Sequence, residues 1–293
     1  MTLSDELFDK FARLIYKRTG LHYELNKKYY VQKRLEKRAE SLEIDSLNEY
    51  YMLLKFADDE SEFEKLVNEL TVNETYFFRD FPQLRNFAED VLPVFAREKG
   101  NRKKIKIWSA ACSTGEEPYT LSIILLEMLD EPEEWDIQIL ASDINTDVLQ
   151  KARIGLYESR SVRDVPPEYL EKYFTKRNDK YLINLNVKKP VSFRRINLMD
   201  RDEMSSISGC DFIFCRNCLI YFDDESRKSV LSSFYESLNP GGYIFLGHSE
   251  SVGRITSAYK VRRIGDTIVY SRPKQEKKTL VVDDSVKTIK MLL

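Results

Sequence analysis

The stretch from Lys104 to Asp143, KIKIWSAACSTGEEPYTLSIILLEMLDEPEEWDIQILASD, constrains the fold more than any other part of the chain. KIKIW reads as a strand, SAACSTGEEP as a turn of small residues, Glu117 to Leu129 as a helix, and DIQILASD as a second strand closing on one acid. That order is the nucleoside-binding half of a doubly wound α/β sheet, in which ligands lie outside the carboxyl ends of the strands. The turn has one glycine, Gly115, where a dinucleotide fingerprint places three. Its helix opens on Glu116 and Glu117, which repel a phosphate and welcome an ammonium. The ligand expected here is a nucleoside without a pyrophosphate. Asp143, ending the second strand, is placed to accept both ribose hydroxyls. Simpler roles exist for each acid: the glutamates as complements to the helix dipole, Asp143 as N-cap for a helix at Thr146. The turn and the strand-end acid together favour the ribose.

Strands alternate with helices beyond this unit. PVSFRRIN, DFIFCRN and YIFLG read as further strands, and ESRKSVLSSFYESLNPGG as a helix stopped by Pro-Gly-Gly. YKVRRIGDTIVYS reads as a closing hairpin around Gly265-Asp266. The fold class expected is α/β: a doubly wound, mainly parallel sheet with an antiparallel edge hairpin. TDVLQKARIGLY is a helix broken at Gly155. Residues 158–189, with VPPEYLEKYF and the alternating run KYLINLNV, exceed a normal crossover and predict a small inserted subdomain.

Residues 1–72 read as a small all-helical domain. Leu7, Phe8, Phe11, Leu14 and Ile15 recur at helical spacing, and Gly20 stops that helix. KYYVQKRLEKRAESL is a second helix, with Lys33, Arg34, Lys37 and Arg38 expected on its exposed face. Ser46 and Glu49 predict a capping box for the third helix, and SEFEKLVNEL is a fourth. Residues 73–103 form a linker and first helix, and 104–272 the α/β domain.

The formal net charge of −2 supplies no global basic field, so no nucleic-acid partner is expected. The N-terminus lacks the pattern of a signal peptide, and apolar runs such as Leu121–Leu126 are too short to span a bilayer, so a cytoplasmic protein without membrane insertion is expected. Cys215 and Cys218 form a CxxC with no second ligand pair nearby, which predicts buried hydrophobes and no metal site. His248 is read as a loop hydrogen-bonding residue rather than a catalyst.

An amino-acid ammonium joined to a ribose without phosphates describes S-adenosylmethionine. NETYFFRD, WSAACSTGEEPYTLSI, ASDINTDVLQKARIGLY, FIFCRNCLIYFD and GGYIFLGHSES, in this order, resemble the motifs of the CheR family of chemotaxis receptor methyltransferases. The resemblance runs from residue 1 to about 272. It implies a methyltransferase-type sheet preceded by a helical domain. It also implies methylation of glutamate side chains on chemoreceptor cytoplasmic helices, yielding methyl esters and S-adenosylhomocysteine. By match to the family, Asn73, Thr75 and Arg79 line the cofactor site from the linker, Glu117 contacts the methionine ammonium and Asp143 the ribose. Asn197 and Leu198 match adenine-side contacts, and Arg216 and Asn217 match positions at the end of the fourth strand. Arg79 and Tyr221 are the expected catalytic pair, holding and orienting the target carboxylate. Lys33, Arg34, Lys37 and Arg38 match a receptor-contacting helix.

Two departures stand out. Some relatives carry a glycine-rich loop in the inserted subdomain that docks a receptor pentapeptide; TKRNDKYLINLNVKKP has no glycine, so that tether is not expected to be required. The tail at 273–293 holds a charged linker and then TLVVDDS, which resembles the opening of a receiver domain, with Asp283 and Asp284 as its strand-end acids.

Overall fold

A computed structural model describes residues 1–253, 255–265 and 267–274. The receiver-like tail, with Asp283 and Asp284, lies outside the described residues, as does Asp266 of the predicted hairpin turn.

The amino-terminal unit is four helices: α1 (Asp5–Thr19), α2 (Lys28–Ser41), α3 (Leu47–Phe56) and α4 (Ser61–Leu70). Helix α1 opens on Ser4, whose hydroxyl accepts the Leu7 amide, and closes on Gly20 at φ +73°. Leu7, Phe8, Phe11 and Ile15 bury its apolar stripe against Val31, Leu35, Tyr50, Leu54, Leu66 and Leu70. Two expectations are corrected. Ser46 precedes α3 without a side-chain cap bond, so no capping box forms. The basic residues of α2 do not share one exposed face. Arg38 turns inward onto Glu62 through two bonds of 2.9 and 2.6 Å, because Glu62 is buried beside Tyr50 and needs a counter-charge.

A linker leads to α5 (Phe81–Asn86), with proline in its first turn, a π-helical stretch at Phe87–Val91, and α6 (Leu92–Lys99). The strands are β1 (Lys104–Ala110), β2 (Asp136–Asp143), β3 (Leu156–Glu158), β4 (Phe174–Arg177), β5 (Lys180–Ile183), β6 (Val191–Arg195), β7 (Cys210–Cys215), β8 (Leu238–Leu246), β9 (Lys260–Ile264) and β10 (Thr267–Ser271). The remaining helices are α7 (Glu116–Met128), α8 (Thr146–Ile154), α9 (Pro167–Tyr173), α10 (Leu185–Lys188), α11 (Arg201–Ser205) and α12 (Asp224–Ser237). Seven strands make the main sheet in the order β6-β2-β1-β7-β8-β10-β9. β6 through β8 pair in parallel, and β10 and β9 add an antiparallel edge.

Alternation along β7 sends Phe212 and Phe214 to one face and Ile213 and Cys215 to the other. On the first face Phe87 meets Phe212, Phe214 and Phe245 edge-on at 5.1 to 5.5 Å. On the second, Trp108 packs edge-on against Phe234 of α12. Cys112, Cys210 and Cys215 are buried and free, and Cys218 is half-buried. Among the described residues no helix is long and apolar enough to cross a membrane.

The inserted segment folds as a three-stranded antiparallel sheet, β3-β5-β4, with α9 and α10. β5 ends at Ile183, so KYLINLNV is half strand and half helix. Asn184 diverts the chain there by bonding the Lys172 carbonyl and the Thr175 hydroxyl. The Pro-Gly-Gly sequence is also not a stop between elements. It lies inside β8, where pairing with β7 slips between Cys210 and Phe212. A Cβ on Gly242 would come within 2.9 Å of the Asp211 carbonyl oxygen, so this bulge accepts only glycine there.

Candidate active site

Strand order reverses between β1 and β7, and a cavity of about 480 Å³ opens there at the strands' carboxyl ends. The turn from β1 to α7 supplies Ala111, Cys112 and Ser113 to its wall. The linker brings in Asn73, Thr75 and Arg79, α7 brings Glu117, and β2 ends in it at Asp143. Asn197 and Leu198 follow β6 into it, and Arg216, Asn217 and Tyr221 follow β7.

Asp143 is 7% exposed. Its Oδ2 accepts the Ser113 amide at 2.8 Å and its Oδ1 the Asn145 amide at 2.9 Å. The cap of α8 is Asn145, whose Oδ1 accepts from the Asp147 and Val148 amides, so Asp143 is not spent on the helix. The carboxylate keeps lone-pair capacity for a ligand. Burial pushes its carboxyl above the ordinary range, against the pull of the Asn145, Ser113 and Ile144 amides.

Glu117 accepts the Ser109 hydroxyl at 2.7 Å and faces an Arg216 Nη at 3.3 Å. Burial raises its carboxyl too, with Arg216 the strongest opposing influence. Glu116 turns away from the cavity and accepts the Thr114 hydroxyl at 2.6 Å. The two adjacent acids thus part company, one to the core and one to the site.

The two arginines differ in what they have left to give. Arg216 donates to the Arg79 carbonyl, to Asp80 and to Glu117, and is almost wholly buried. Its Nε is buried without a partner among the described residues. Among the described residues Arg79 donates once, to the Glu74 carbonyl at 2.7 Å, and lies over the Tyr76 ring. Burial raises the Tyr221 phenol, and Arg79 is near enough to pull the other way. Asn197 has its side-chain amide committed to the Arg18 carbonyl and the Met199 amide. Phe78, Ala111, Ser113 and Asn217, all lining residues, have φ between +49° and +59°. Backbone strain of about 1–3 kcal/mol per such residue persists only where the surroundings enforce it.

The helical unit closes one side of the cavity, which sequence reasoning missed. His22, Lys27, Tyr23 and Tyr30 line it. The two tyrosines stack at 6.3 Å, and both hydroxyls donate to the Leu70 carbonyl. The GGYIFLGHSES block held another missed residue. His248 is exposed and hydrogen-bonds to none of the described residues, a departure from the loop role expected of it. Two residues on, Glu250 accepts the amides of Gly247, Asn217 and Ile220 at 2.6, 3.0 and 3.2 Å and shapes the turn after β7.

A sheet of this order with a cavity at its switch point, and carboxylates where a phosphate loop would be, defines the class: an α/β protein of the S-adenosylmethionine-dependent methyltransferase type. Residues 73–267 match the CheR methyltransferase SAM-binding domain, and residues 6–71 the CheR methyltransferase all-alpha domain. The chain belongs to the CheR methyltransferase family. It is 44% identical to chemotaxis protein methyltransferase 2 of Vibrio cholerae over 94% of this chain and 96% of that one. It is 34% identical to the chemotaxis protein methyltransferase of Salmonella typhimurium over 92% and 91%. It is 33% identical to chemotaxis protein methyltransferase 1 of Pseudomonas aeruginosa over 92% and 99%.

S-adenosylmethionine is the cofactor of that family, and the donor set here fits it. Two buried carboxylates suit a ribose and an ammonium, and the unpartnered Arg216 Nε suits a carboxylate.

Proposed function

We propose that the chain methylates glutamate side chains on the cytoplasmic helices of chemoreceptors, leaving methyl esters and S-adenosylhomocysteine. The observation that carries this is Asp143: a buried strand-end carboxylate inside the cavity, free of the helix cap that would otherwise explain it. S-adenosylmethionine, when bound, supplies an electrophilic methyl group on a sulfonium. Asp143 would hold its ribose, Glu117 its ammonium, Asn73 and Thr75 the linker side, and Asn197 and Leu198 the adenine side. Arg216 and Asn217 would floor the site.

A target glutamate is ionised at neutral pH and needs no general base. The protein's task is alignment, which supplies several kcal/mol when the reactants are held in line. Arg79 has unspent donors for a carboxylate, and its guanidinium matches one bidentately. Tyr221 stays protonated because burial raises its phenol, so it donates and orients. Of Lys33, Arg34, Lys37 and Arg38, the solvent-exposed Lys33 and Lys37 are the proposed receptor contacts of the helical unit. We place the enzyme in the cytoplasm, where receptor helices lie, with no nucleic-acid partner.

The β4–β5 hairpin turns on Asn178 at φ +53°, not on a glycine. On this reading no pentapeptide tether is needed, and measurable binding of a receptor's C-terminal pentapeptide would refute that part. Calorimetry with S-adenosylhomocysteine tests the site, and absence of heat removes it. Labelled methyl transferred to a receptor and released by base as methanol tests the reaction.

A further inference from the structure

Tyr221 is joined by main chain to the helical unit. The His22 amide donates to the Tyr221 carbonyl at 2.9 Å, and Leu21 forms an antiparallel bridge with Phe222. The next residue, Asp223, caps α12 by accepting the Ser226 amide on Oδ1 at 2.8 Å. Its Oδ2 accepts the Tyr16 hydroxyl of α1 at 2.9 Å, and the Ser226 hydroxyl reaches the same Tyr16 oxygen at 3.3 Å. The His22 ring stands edge-on to Tyr16. Burial works against the charge on Asp223, but the Ser226 amide and hydroxyl, Tyr16 and His22 outweigh it and keep its carboxyl below the ordinary range.

No such clasp is needed to fold either part, because each has its own apolar core. The bonds converge instead on the short turn Leu219–Tyr221, whose other end Glu250 already holds. A phenol that must meet one oxygen of a target carboxylate has to be placed to a fraction of an ångström.

We propose that Tyr16, acting through Asp223 and the paired strands Leu21-His22 and Tyr221-Phe222, is a positioning residue for Tyr221. The helical unit thereby completes the catalytic geometry as well as facing the receptor. This rests on the role given to Tyr221 above.

The test is a double-mutant cycle on the full chain, with receptor methylation as readout. Tyr16→Phe is expected to lower kcat about tenfold. KM for S-adenosylmethionine and the Kd for S-adenosylhomocysteine stay within twofold. In a Tyr221→Phe background the same change costs less than twofold, since its target is gone. A clasp that only held the two parts together would lower the melting temperature and S-adenosylhomocysteine affinity alike in both backgrounds, and that result overturns the proposal. So does full turnover in Tyr16→Phe, or losses that multiply in the double variant. Ser226→Ala, which removes the hydroxyl's contacts to Tyr16 and Asp223 but keeps the Tyr16–Asp223 bond and the Ser226 amide cap, is a milder probe, expected to lower kcat alone and by less. If Tyr221→Phe itself turns over normally, the role of Tyr221 fails and this inference with it. If Tyr221→Phe is slow and Tyr16→Phe is not, only the inference fails.

Discussion

Arg79 and Asp143 make opposite demands on their surroundings, and each demand is testable. For the role proposed for it, Arg79 has a guanidinium that the described residues leave almost unspent. Arg79→Ala removes that grip and is expected to cut receptor methylation over a hundredfold, about 2.7 kcal/mol, with an unchanged unfolding curve. Wild-type turnover in that variant would remove Arg79 from the mechanism. In its proposed role Asp143 works only while ionised, because ribose hydroxyls would donate to it. Its carboxyl is raised by burial, so protonation sets in above the ordinary 3.8 as pH falls. S-adenosylhomocysteine affinity should therefore weaken on acidification sooner than an unperturbed aspartate would allow. Asp143→Asn should raise Kd at least tenfold at neutral pH and flatten that dependence. That both line the cavity was legible in the chain, Asp143 from its place at the end of a strand and Arg79 from the resemblance of NETYFFRD to a family motif. Glu250 was not, since its three amide partners come from turns brought together only by β7 pairing with β8.

The elements that carry these residues depend on a few positions where the backbone leaves no room. Gly20 ends α1 at φ +73°, and a Cβ there would meet Met199 at 2.6 Å and the Phe222 ring at 2.8 Å. Met199 can flex, whereas Phe222 is fixed by its bridge to Leu21. Gly20→Ala should cost about 1–3 kcal/mol in denaturant unfolding and slow turnover by disturbing the Tyr221 turn. Helix α2 offers a pH test. Gln32, Lys33 and the amino terminus of Met1 all donate to Glu36, and the Gln32 bond first among them holds its carboxyl down to about 2. A lowered carboxyl stabilises the fold fully above its ordinary value of 4.5, and that contribution is lost as pH falls toward 2. Glu36→Gln should therefore be less stable at neutral pH and lose less on acidification across that window. Sequence reasoning located these helices by their periodicity but placed their polar residues less well. Periodicity says which side of a helix is buried, and a buried acid such as Glu62 can still draw an arginine across that boundary.

At the scale of the whole molecule, docking of an acidic receptor helix has to come from local charge, because the net charge is −2 and offers no long-range attraction. The four basic residues expected from the sequence to do this cannot act as one patch. Arg38 is locked onto Glu62 inside the helical unit. Arg34 lies 3.6 Å over Tyr30, a wall of the cavity, and donates to the Tyr30 carbonyl. Lys33 and Lys37 remain, each about half or more exposed, Lys33 paired with the mostly buried Glu36 and Lys37 with the partly exposed Glu69. The Lys37–Glu69 pair, open to solvent, is worth less than about 1 kcal/mol, and Glu36 keeps Gln32 and the amino terminus when Lys33 leaves, so an acidic partner can draw either lysine away at little cost. Reversing all four charges would bring two carboxylates together at Arg38 and unfold the unit, so a lost activity would say nothing about docking. Neutralising only Lys33 and Lys37 to glutamine avoids this, since no carboxylate is then added beside the mostly buried Glu36. The double glutamine variant should raise KM for the receptor severalfold with kcat nearly unchanged. The wild-type KM should climb with salt, since screening at physiological ionic strength acts over about 8 Å. That salt dependence should be weaker in the variant, because the charges being screened are gone. An unchanged KM in the variant, or an equal salt slope in both proteins, would assign receptor docking to a different face.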